Sequence, residues 1–550
     1  MRSRQRQPTI RLAWIRVLEE ENLNACRLFL RFPAQAALAG FQRLGPRDVA
    51  SASYDVGAST ECEHQHSGNQ KTRHQFDYRA ASANGSLYWE LLSETTWKRW
   101  AILLAFSAAL FFLYLFGLTR TGLLGPDEPR YAAIGRAMAQ TGDWVTPRLW
   151  GKPWFEKPPL LYWMTAAAFK AGLDQDLAPR LPVALLSVGF LIYFFIALRR
   201  EFGEQAAFYS TTILATSAGW LAFSHVAVTD LPMSAAFAGA MLIAYRAATV
   251  RESVSAGILL GLAVLAKGLV PLALFLPAVW FLRHRFRTLL GIFAAAAVVA
   301  LPWYATVTWI NGTAFLQEFF WKHHLERYMT GSLLHERPFW FYLPVLLAGL
   351  FPWSPFLLLL FSKQTYKDER VQFLALWFAW GLIFFSLSRN KLPGYLLPLL
   401  PPLAALLGLA IAKAQARAAR IVALISASAA LLWFIPAIQD LLPQALLHGF
   451  SRAQFHLPLI WILPALAVIL ICGLLERTGR RDLAITLISM VIVLSVMRLV
   501  CETYPELDQK VSSRSFWISH KESITCSSDS DRSWRYGLNY YAGREIPDCN

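Results

Sequence analysis

The chain is 550 residues long, with 55% hydrophobic and 16% charged residues and a mean hydropathy of +0.38. This composition argues against a soluble multidomain enzyme, and 21 Trp, 18 Tyr and 37 Phe exclude a collagen, a coiled coil and a disordered chain. The net charge of +16 does not indicate a nucleic-acid partner, because short cytoplasmic loops of polytopic membrane proteins are rich in Lys and Arg. The six Cys form no CxxC pair and have no Cys/His ligand spacing, so no zinc ribbon, redox motif or disulfide framework is encoded.

Residues 1–96 are polar, rich in Arg and Gln, and lack an apolar run long enough to span a bilayer. We interpret them as a poorly structured cytoplasmic extension; the alternative is that translation begins at a later start. We expect no cleavable signal peptide, because the first long apolar segment begins near Trp97.

From Trp97 onward, apolar segments alternate with basic turns, which predicts an all-α polytopic membrane protein with about 13 transmembrane helices over residues 97–500. Several segments are shorter than the ~20 residues of a perpendicular span, and those near 232 and 254 are the weakest predictions. The expected spans are 97–118, 181–198, 205–223, 232–245, 254–267, 269–282, 288–305, 340–361, 371–387, 393–412, 421–438, 457–475 and 483–500.

The basic residues predict the orientation. If the N-terminus is cytoplasmic, each short loop that returns to that side carries Lys or Arg, as the positive-inside rule requires. The opposite side, which is the periplasm in a bacterial cell, then receives two long loops (119–180 and 306–339) and the C-terminal region 501–550. We therefore expect a multi-pass protein of the inner membrane.

The first exported loop is too apolar to be solvated and too rich in Pro for a single span. We expect two short interfacial helices, at 127–140 and 159–171, with aromatic side chains at headgroup depth. Those aromatic residues, which are more typical of interfacial anchors than of sugar-stacking platforms, are Trp144, Trp150, Trp154, Tyr162 and Trp163.

The C-terminal region 501–550 is the small periplasmic tail of this arrangement. Its WRYGLNYYAG sequence alternates enough to predict strands, and Cys526 and Cys549 are candidates for a disulfide in an oxidising compartment.

Polar residues of the exported side collect at one face of the membrane. Ionisable groups near hydrocarbon are costly, so each is a functional candidate, and a mixture of carboxylates, His and cations suggests a pocket for a phosphate-bearing substrate. The residues are Asp127, Glu128, Arg130, Glu156, Lys157, Asp230, Lys267, His323, His324, Arg327, His335, Arg337, Arg389, Lys391 and Tyr395.

Some of these residues also have purely structural interpretations. The acidic residues of PDEPR can cap a helix, and one carboxylate from PDEPR with one from FEKPP can instead bind a divalent metal, orient a nucleophile or act as a base. Lys267 can extend to the interface, Asp230 can cap the next helix, and Lys391 can be a juxtamembrane anchor.

In order along residues 97–500, the chain contains GPDEPRYAAIGRAMAQTGDW, FEKPPLLYW, APRLP, HVAVTDLP, LAKGLVP, FFWKHHLERY, HERPFWFYLP and SRNKLPGYLLPLLPPL. These motifs resemble the lipid-linked-sugar glycosyltransferases of the protein O-mannosyltransferase superfamily, and most closely the bacterial transferases of 4-amino-4-deoxy-L-arabinose to lipid A. The resemblance implies a GT-C fold and a donor linked to undecaprenyl phosphate. The family's exported C-terminal domain is usually larger than this tail.

The resemblance also implies roles for individual residues. Asp127 matches the essential carboxylate of the first exported loop. Arg130, Lys157, Arg327 and Tyr395 match positions around the carrier phosphate, and Asp230 and Lys267 match the donor-sugar side. Glu156 with His324 or His335 corresponds to a site for a divalent metal such as zinc, and Glu128 and Lys391 are further candidates.

The resemblance and the residues together predict a pentosyltransferase that moves aminoarabinose from undecaprenyl phosphate to lipid A and uses no nucleotide sugar, since the chain has no Gly-rich phosphate loop. We expect a monomer surrounded by membrane lipids. The alternatives are another sugar, a hydroxyl or protein acceptor, and a lipid carrier or transporter without catalysis. A transporter would show internal repeats and ionisable residues near the midplane, neither of which we see.

Overall fold

The computed structural model describes residues 104–319, 321, 337–361, 366–434, 444, 462–526 and 531–549. Within these ranges the chain is helical apart from one two-stranded antiparallel ribbon, so the mostly helical membrane class is confirmed. The helices of this part that are long and apolar enough to cross a membrane are Leu177–Phe202, Phe286–Phe319, Glu369–Leu387, Pro393–Lys413 and Arg481–Lys510. The number of about 13 crossings stays a prediction.

The first half of the described chain carries the loop predicted to be exported and the helices that follow it. In order the elements are α1 (Leu104–Tyr114), α2 (Asp127–Thr141), β1 (Arg148–Leu149), β2 (Lys152–Pro153), α3 (Leu160–Lys170), α4 (Leu177–Phe202), α5 (Glu204–Thr216), α6 (Ala218–Ser224), α7 (Asp230–Arg246), α8 (Val250–Lys267), α9 (Val270–Leu274), α10 (Leu276–Phe281) and α11 (Phe286–Leu316).

The second half contains shorter and more broken helices. In order they are α12 (Tyr342–Gly349), preceded by a 3-10 turn at Phe339–Phe341, a 3-10 segment at Ser354–Phe361, α13 (Glu369–Leu387), a 3-10 segment at Pro393–Leu399, α14 (Leu400–Lys413), α15 (Ala416–Phe434), α16 (Ile462–Arg477), α17 (Arg481–Arg498), a π-helical turn at Leu499–Thr503, α18 (Tyr504–Lys510), α19 (Ser513–His520) and α20 (Arg532–Ala542).

Three predicted spans are interrupted in the structure. The 205–223 segment divides into α5 and α6 at Ser217, which is extended, and this break contains no Pro. The 269–282 segment divides into α9 and α10, and each of these two helices has a Pro in its first turn. The 340–361 segment bends by 112° between its two parts. Because Pro lacks an amide N–H and clashes with the preceding turn, it begins a helix readily and interrupts one that is already formed.

The two weakest predictions, near 232 and 254, are continuous helices, α7 and α8. Helix α8 lies directly against α11, and a side chain at Gly257 or Gly261 would collide with the backbone oxygens of Ile292 or Ala296. Glycines four residues apart let two helix backbones approach closely, which is a common packing device in membranes. This contact fixes the end of α8 next to α11, where part of the candidate site lies.

The two interfacial helices expected in the first exported loop exist as α2 and α3. Their depth in a bilayer stays a prediction. Of the five aromatic residues predicted as interfacial anchors, Tyr162 is instead completely buried inside the protein, with its ring centre 5.8 Å from that of Tyr131.

The prediction of strands in the C-terminal region is wrong. WRYGLNYYAG belongs to helix α20, which begins after the N-cap Asp531 and ends at Gly543 in the left-handed conformation. The five consecutive residues 537–541 are buried, so this helix is enclosed on more than one face and the alternation in the sequence does not correspond to a strand. The predicted Cys526–Cys549 disulfide is confirmed.

Candidate functional site

A buried ion pair holds the start of α2 in place. Glu128, which is completely buried, accepts hydrogen bonds from Arg180 of α4 at 2.7 and 2.8 Å, and also from the amides of Leu124 and Ala227. Arg180 also donates to the carbonyl oxygens of Leu118, Thr121 and Gly122. Every oxygen of the Glu128 carboxylate is therefore occupied by protein, and this sequence candidate is a structural residue rather than a ligand-binding one.

The neighbouring carboxylate, Asp127, points to a different environment. Its Oδ1 accepts a hydrogen bond from Arg130 one helical turn later, and its side chain is 46% exposed whereas that of Arg130 is 2% exposed. Both residues lie in the first turn of α2, where carboxylates are stabilised by the positive end of the helix. Asp127 is thus the accessible member of the pair.

The FEKPP segment joins this pair from the other side. Nη2 of Arg130 lies 3.0 Å from Oε2 of Glu156, and Oε1 of Glu156 lies 3.4 Å from Nζ of Lys157. The side chains of Glu156 and Lys157 are 11% and 15% exposed. The structure therefore brings together Asp127, Arg130, Glu156 and Lys157, which we call the DEPRY–FEKPP cluster.

The Arg130 guanidinium is surrounded by aromatic rings as well as by carboxylates. Its Cζ lies 5.3 Å from the ring centre of Tyr131, 5.2 Å from that of Trp154 and 5.3 Å from that of Tyr536. Burial alone lowers the pKa of Arg130, but Glu156, Tyr131 and Asp127 together raise that pKa above its ordinary value. The group is therefore a permanent buried cation.

Two nitrogen atoms of this guanidinium make no hydrogen bond within the described residues. Within the residues that the structure describes, Nε and Nη1 of Arg130 have no hydrogen-bond partner, although both atoms are buried. Buried donors are nearly always satisfied, so an open pair on a charged group at a functional face indicates a place for an anionic ligand.

The FEKPP segment is also packed against the ends of α8 and α11. Phe155 lies in an apolar cluster with Val264, Leu265 and Trp303, and its ring centre is 5.3 Å from that of Phe315. This cluster places the backbone next to Glu156 near the last turn of α8, which ends at Lys267.

Lys267 forms the second charged group of the site. Its Nζ lies 2.5 Å from Oδ1 of Asp230 at the start of α7 and 4.7 Å from the ring centre of Tyr395. Asp230 accepts from Lys267 and forms no cap, since the N-cap position of α7 is Thr229 and has no side-chain hydrogen bond. A side chain at Gly394 would collide with the Asp230 carboxylate, so the KLPGY backbone lies against this pair.

The remaining sequence candidates are distributed as follows. Lys391 is buried and donates to the carbonyl oxygen of Ser388, and burial lowers its pKa, so it is not a juxtamembrane anchor. Arg337 and Arg389 are exposed. His323, His324, Arg327 and His335 lie outside the described residues.

The metal prediction is not supported by the described part of the chain, where no group of three His, Cys, Asp or Glu side chains is arranged to hold a metal ion. Glu156, the predicted ligand, faces the cations of Arg130 and Lys157. Its proposed partners His324 and His335 lie outside the described residues, so the metal stays a prediction.

Sequence reasoning missed three residues of the site. Arg180 was visible only as a lone cation in APRLP, Trp154 was assigned to the membrane interface, and Tyr536 was placed in a strand. A cation at the start of an apolar span is a signal that could have identified Arg180, because such a charge needs a buried partner.

The C-terminal region is tied to the first loop by a second polar network. Arg514 lies 3.0 Å from Oδ2 of Asp176 and 2.9 Å from Oδ2 of Asp508, and the Tyr541 hydroxyl donates to Asp176 at 2.7 Å. Burial raises the pKa of Asp176 above its ordinary value, against the opposing effects of Arg514 and Tyr541. These contacts attach the C-terminal region to Asp176, the residue that precedes α4.

Comparison with known proteins extends this description. The sequence profile of the dolichyl-phosphate-mannose-protein mannosyltransferase family matches residues 156–310. The chain is 35% identical over 337 residues to an undecaprenyl phosphate-α-4-amino-4-deoxy-L-arabinose arabinosyl transferase of Pseudomonas fluorescens, covering 58% of this chain and 57% of the relative. It is 32% identical over 373 residues to the transferase of that name from Erwinia tasmaniensis, covering 64% of this chain and 67% of the relative.

A solved structure has the same fold. The crystal structure of ArnT from Cupriavidus metallidurans bound to undecaprenyl phosphate superposes with a TM-score of 0.65 at 25% identity, covering 82% of this chain and 89% of that one. The sequence alignment spans less than two thirds of the Pseudomonas relative, whereas the structural superposition spans most of the solved chain. On this sequence and structural similarity, the chain belongs to the family of undecaprenyl phosphate-α-4-amino-4-deoxy-L-arabinose arabinosyl transferases.

Proposed function

We propose that this chain is a lipid-linked-sugar-dependent glycosyltransferase that moves 4-amino-4-deoxy-L-arabinose from undecaprenyl phosphate to a phosphate of lipid A. The reaction takes place at the periplasmic face of the bacterial inner membrane, and the chain acts as a monomer. Family membership and the names of the relatives support the donor, the sugar and the enzyme class. The lipid A acceptor and the side of the membrane rest on the resemblance and on the distribution of basic loops.

The observation that carries the proposal is the difference in exposure within the DEPRY–FEKPP cluster. The carboxylate of Asp127 is 46% exposed and is bonded to the 2% exposed guanidinium of Arg130, whereas Lys157, at 15% exposure, pairs with the Glu156 carboxylate that Arg130 also contacts. An acceptor approaching from the open side meets Asp127, whereas a carrier phosphate that reaches the interior meets two cations. This order of charges suits a reaction in which an anionic leaving group forms inside the site.

The chemistry then follows from charge. An oxygen of the acceptor phosphate forms a bond to the anomeric carbon, and the bond from that carbon to the carrier phosphate oxygen breaks. The electron pair of the broken bond stays on undecaprenyl phosphate, whose growing negative charge Arg130 and Lys157 stabilise in a site of low dielectric constant. Arg327 is proposed for the same role.

Asp127 does not have to remove a proton from the acceptor in this reaction. An acceptor phosphate is already ionised, so Asp127 orients the acceptor or the donor, or stabilises positive charge on the sugar ring. If the acceptor were a hydroxyl, Asp127 would have to take its proton as a general base. The role of this carboxylate is therefore set by the acceptor.

The Asp230–Lys267 pair is proposed to face the donor sugar, and Tyr395 to contact the carrier phosphate near it. The pair presents both a carboxylate and an ammonium group, which can accept from and donate to sugar substituents. If a divalent metal binds, Glu156 with His324 or His335 would hold it and it would add positive charge beside the carrier phosphate; no step above depends on it.

The test is sugar transfer by the purified chain in lipid nanodiscs, with undecaprenyl phosphate-linked aminoarabinose as donor and lipid A as acceptor. Mass spectrometry should show lipid A gaining the mass of one aminopentose, and Asp127→Asn should abolish this gain. Asp143→Asn is the matched control, since Asp143 is a carboxylate of the same loop that pairs with Arg148 instead. Absence of transfer by the wild type, or full activity of Asp127→Asn, would contradict the proposal; transfer of a hexose would indicate another donor sugar.

A further inference from the structure

One of the aromatic rings that contact Arg130 belongs to the C-terminal region of the chain. Of the three rings around the guanidinium, Tyr131 and Trp154 belong to the first loop, whereas Tyr536 belongs to α20 in the C-terminal region. The DEPRY–FEKPP cluster is thus completed by a residue that neither motif contains.

The contact matters because Arg130 is a buried charge with open donors. Its side chain is 2% exposed, and within the described ranges Nε and Nη1 have no hydrogen-bond partner. A guanidinium is attracted to the electron-rich face of an aromatic ring, and the attraction is strongest where water is excluded. The Tyr536 ring can therefore stabilise the charge and fix its orientation without occupying its N–H groups.

Separate contacts set the position of Tyr536. One helical turn further along α20, the ring centre of Tyr540 lies 4.4 Å from Cζ of Arg136, whose Nη2 donates to the Tyr540 carbonyl oxygen at 2.7 Å. The hydroxyl of Tyr541 accepts from the amide of Leu123 at 2.8 Å. These contacts dock α20 on α2, so the ring of Tyr536 is placed beside Arg130 by a rigid helix pair.

We propose that Tyr536 is a positioning residue for the carrier-phosphate site, acting through Arg130. Its ring holds the guanidinium in the orientation that presents the open N–H groups to a phosphate. This proposal rests on the proposed function, because it assigns Arg130 to the phosphate of undecaprenyl phosphate. It also makes the C-terminal region part of the substrate site.

The experiment measures the dissociation constant for undecaprenyl phosphate in nanodiscs, without donor sugar or acceptor. We expect Tyr536→Leu to weaken binding about 5- to 30-fold, and Tyr536→Phe to stay within about twofold of the wild type, since the aromatic ring remains. Trp534→Leu is the matched control, because Trp534 is an aromatic residue of the same helix that packs on Phe516 instead. Equal binding by wild type and Tyr536→Leu would overturn the proposal.

A double-variant cycle tests whether the effect passes through Arg130. In an Arg130→Gln background the Tyr536→Leu change should have no further effect on binding, whereas a merely structural loss would persist there and would overturn the proposal. If Tyr536→Leu does not fold, trifluorophenylalanine at this position keeps the shape and weakens the ring's attraction for a cation. It should then bind more weakly than Tyr536→Phe, and equal binding would contradict the proposal.

The binding assay separates this proposal from the proposed function. If the wild type binds undecaprenyl phosphate but transfers no sugar, the transferase activity is contradicted. The ratio of the dissociation constants of Tyr536→Leu and the wild type still tests the role of Tyr536. A wild type that does not bind undecaprenyl phosphate contradicts both.

Discussion

Arg130 and Glu156 form the link between the two motifs of the site, with Nη2 of Arg130 3.0 Å from Oε2 of Glu156. The other carboxylate oxygen of Glu156 lies 3.4 Å from Lys157, so one carboxylate balances two cations. In the proposed function the carrier phosphate shares these two cations with Glu156. The Glu156 carboxylate, which repels the phosphate, would then weaken phosphate binding.

The first prediction follows from this balance. Glu156→Gln should bind undecaprenyl phosphate at least as tightly as the wild type, because the two cations keep their charge and lose a competing carboxylate. Turnover should fall about tenfold or more, because tighter binding of the undecaprenyl phosphate product slows its release. Binding and steady-state transfer measured on the same preparation check this.

The matched variant for that experiment is Lys157→Met, which removes a cation and keeps the length of the side chain. It should weaken binding, in the opposite direction to Glu156→Gln. Weaker binding by Glu156→Gln would show instead that this carboxylate supports the phosphate site.

The second prediction separates the two carboxylates at the start of α2. Glu128→Gln leaves Arg180 as a buried cation without its charged partner, which should reduce the free energy of unfolding by about 3 to 5 kcal/mol. Asp127→Asn should change it by less than about 1 kcal/mol, since Asp127 is 46% exposed and Arg130 keeps its contact with Glu156. Thermal unfolding in detergent distinguishes them, and similar melting temperatures for both variants would contradict the structural role of Glu128.

Sequence reasoning predicted the part of the site that is local in the chain. PDEPR and FEKPP are Pro-flanked charged pairs in an apolar loop. Because charged groups near hydrocarbon are energetically costly, the two pairs are expected to lie together, and the short helices α2 and α3 are expected on either side of the Pro-rich stretch between them. The observed contacts among Asp127, Arg130, Glu156 and Lys157 are of this kind.

What could not be predicted depends on contacts between distant segments. Glu128 and Arg180 are chemically ordinary until the fold buries them together, and Tyr536 approaches Arg130 only because α20 docks on α2. The strand prediction for α20 failed because it relied on alternation over a short segment, and tertiary packing readily overrides such a local pattern. Likewise, the break within the 269–282 segment depends on local Pro geometry that hydropathy alone does not report.

The third prediction concerns the Asp230–Lys267 pair. Each single change, Asp230→Asn or Lys267→Met, leaves one partly buried charge without its partner and should destabilise the protein, whereas the double variant should recover at least half of the lost stability. The double variant should still have a KM for the donor about tenfold or more above the wild type, because the sugar loses both contacts. Melting temperature and donor titration on all four proteins check this, and an unchanged KM would remove the pair from the donor-sugar site.

The last prediction concerns pH and the attachment of the C-terminal region. Burial raises the pKa of Asp176 above its ordinary value of 3.8, although Arg514 and the Tyr541 hydroxyl act in the opposite direction. The folded protein therefore binds this proton more tightly than the unfolded chain does. The resulting contribution to stability is fully present below the unfolded pKa and is lost as the pH rises through the folded pKa.

An asparagine at this position cannot titrate, so the comparison with Asp176→Asn isolates the effect. As the pH falls from about 7 toward about 4, the melting temperature of the wild type should rise relative to that of Asp176→Asn. Other titrating groups are common to both proteins and cancel in the difference. A difference that stays constant over this range, or moves in favour of the asparagine variant on acidification, would mean that Arg514 and Tyr541 outweigh burial and that α20 is attached to the first loop through an ionised Asp176.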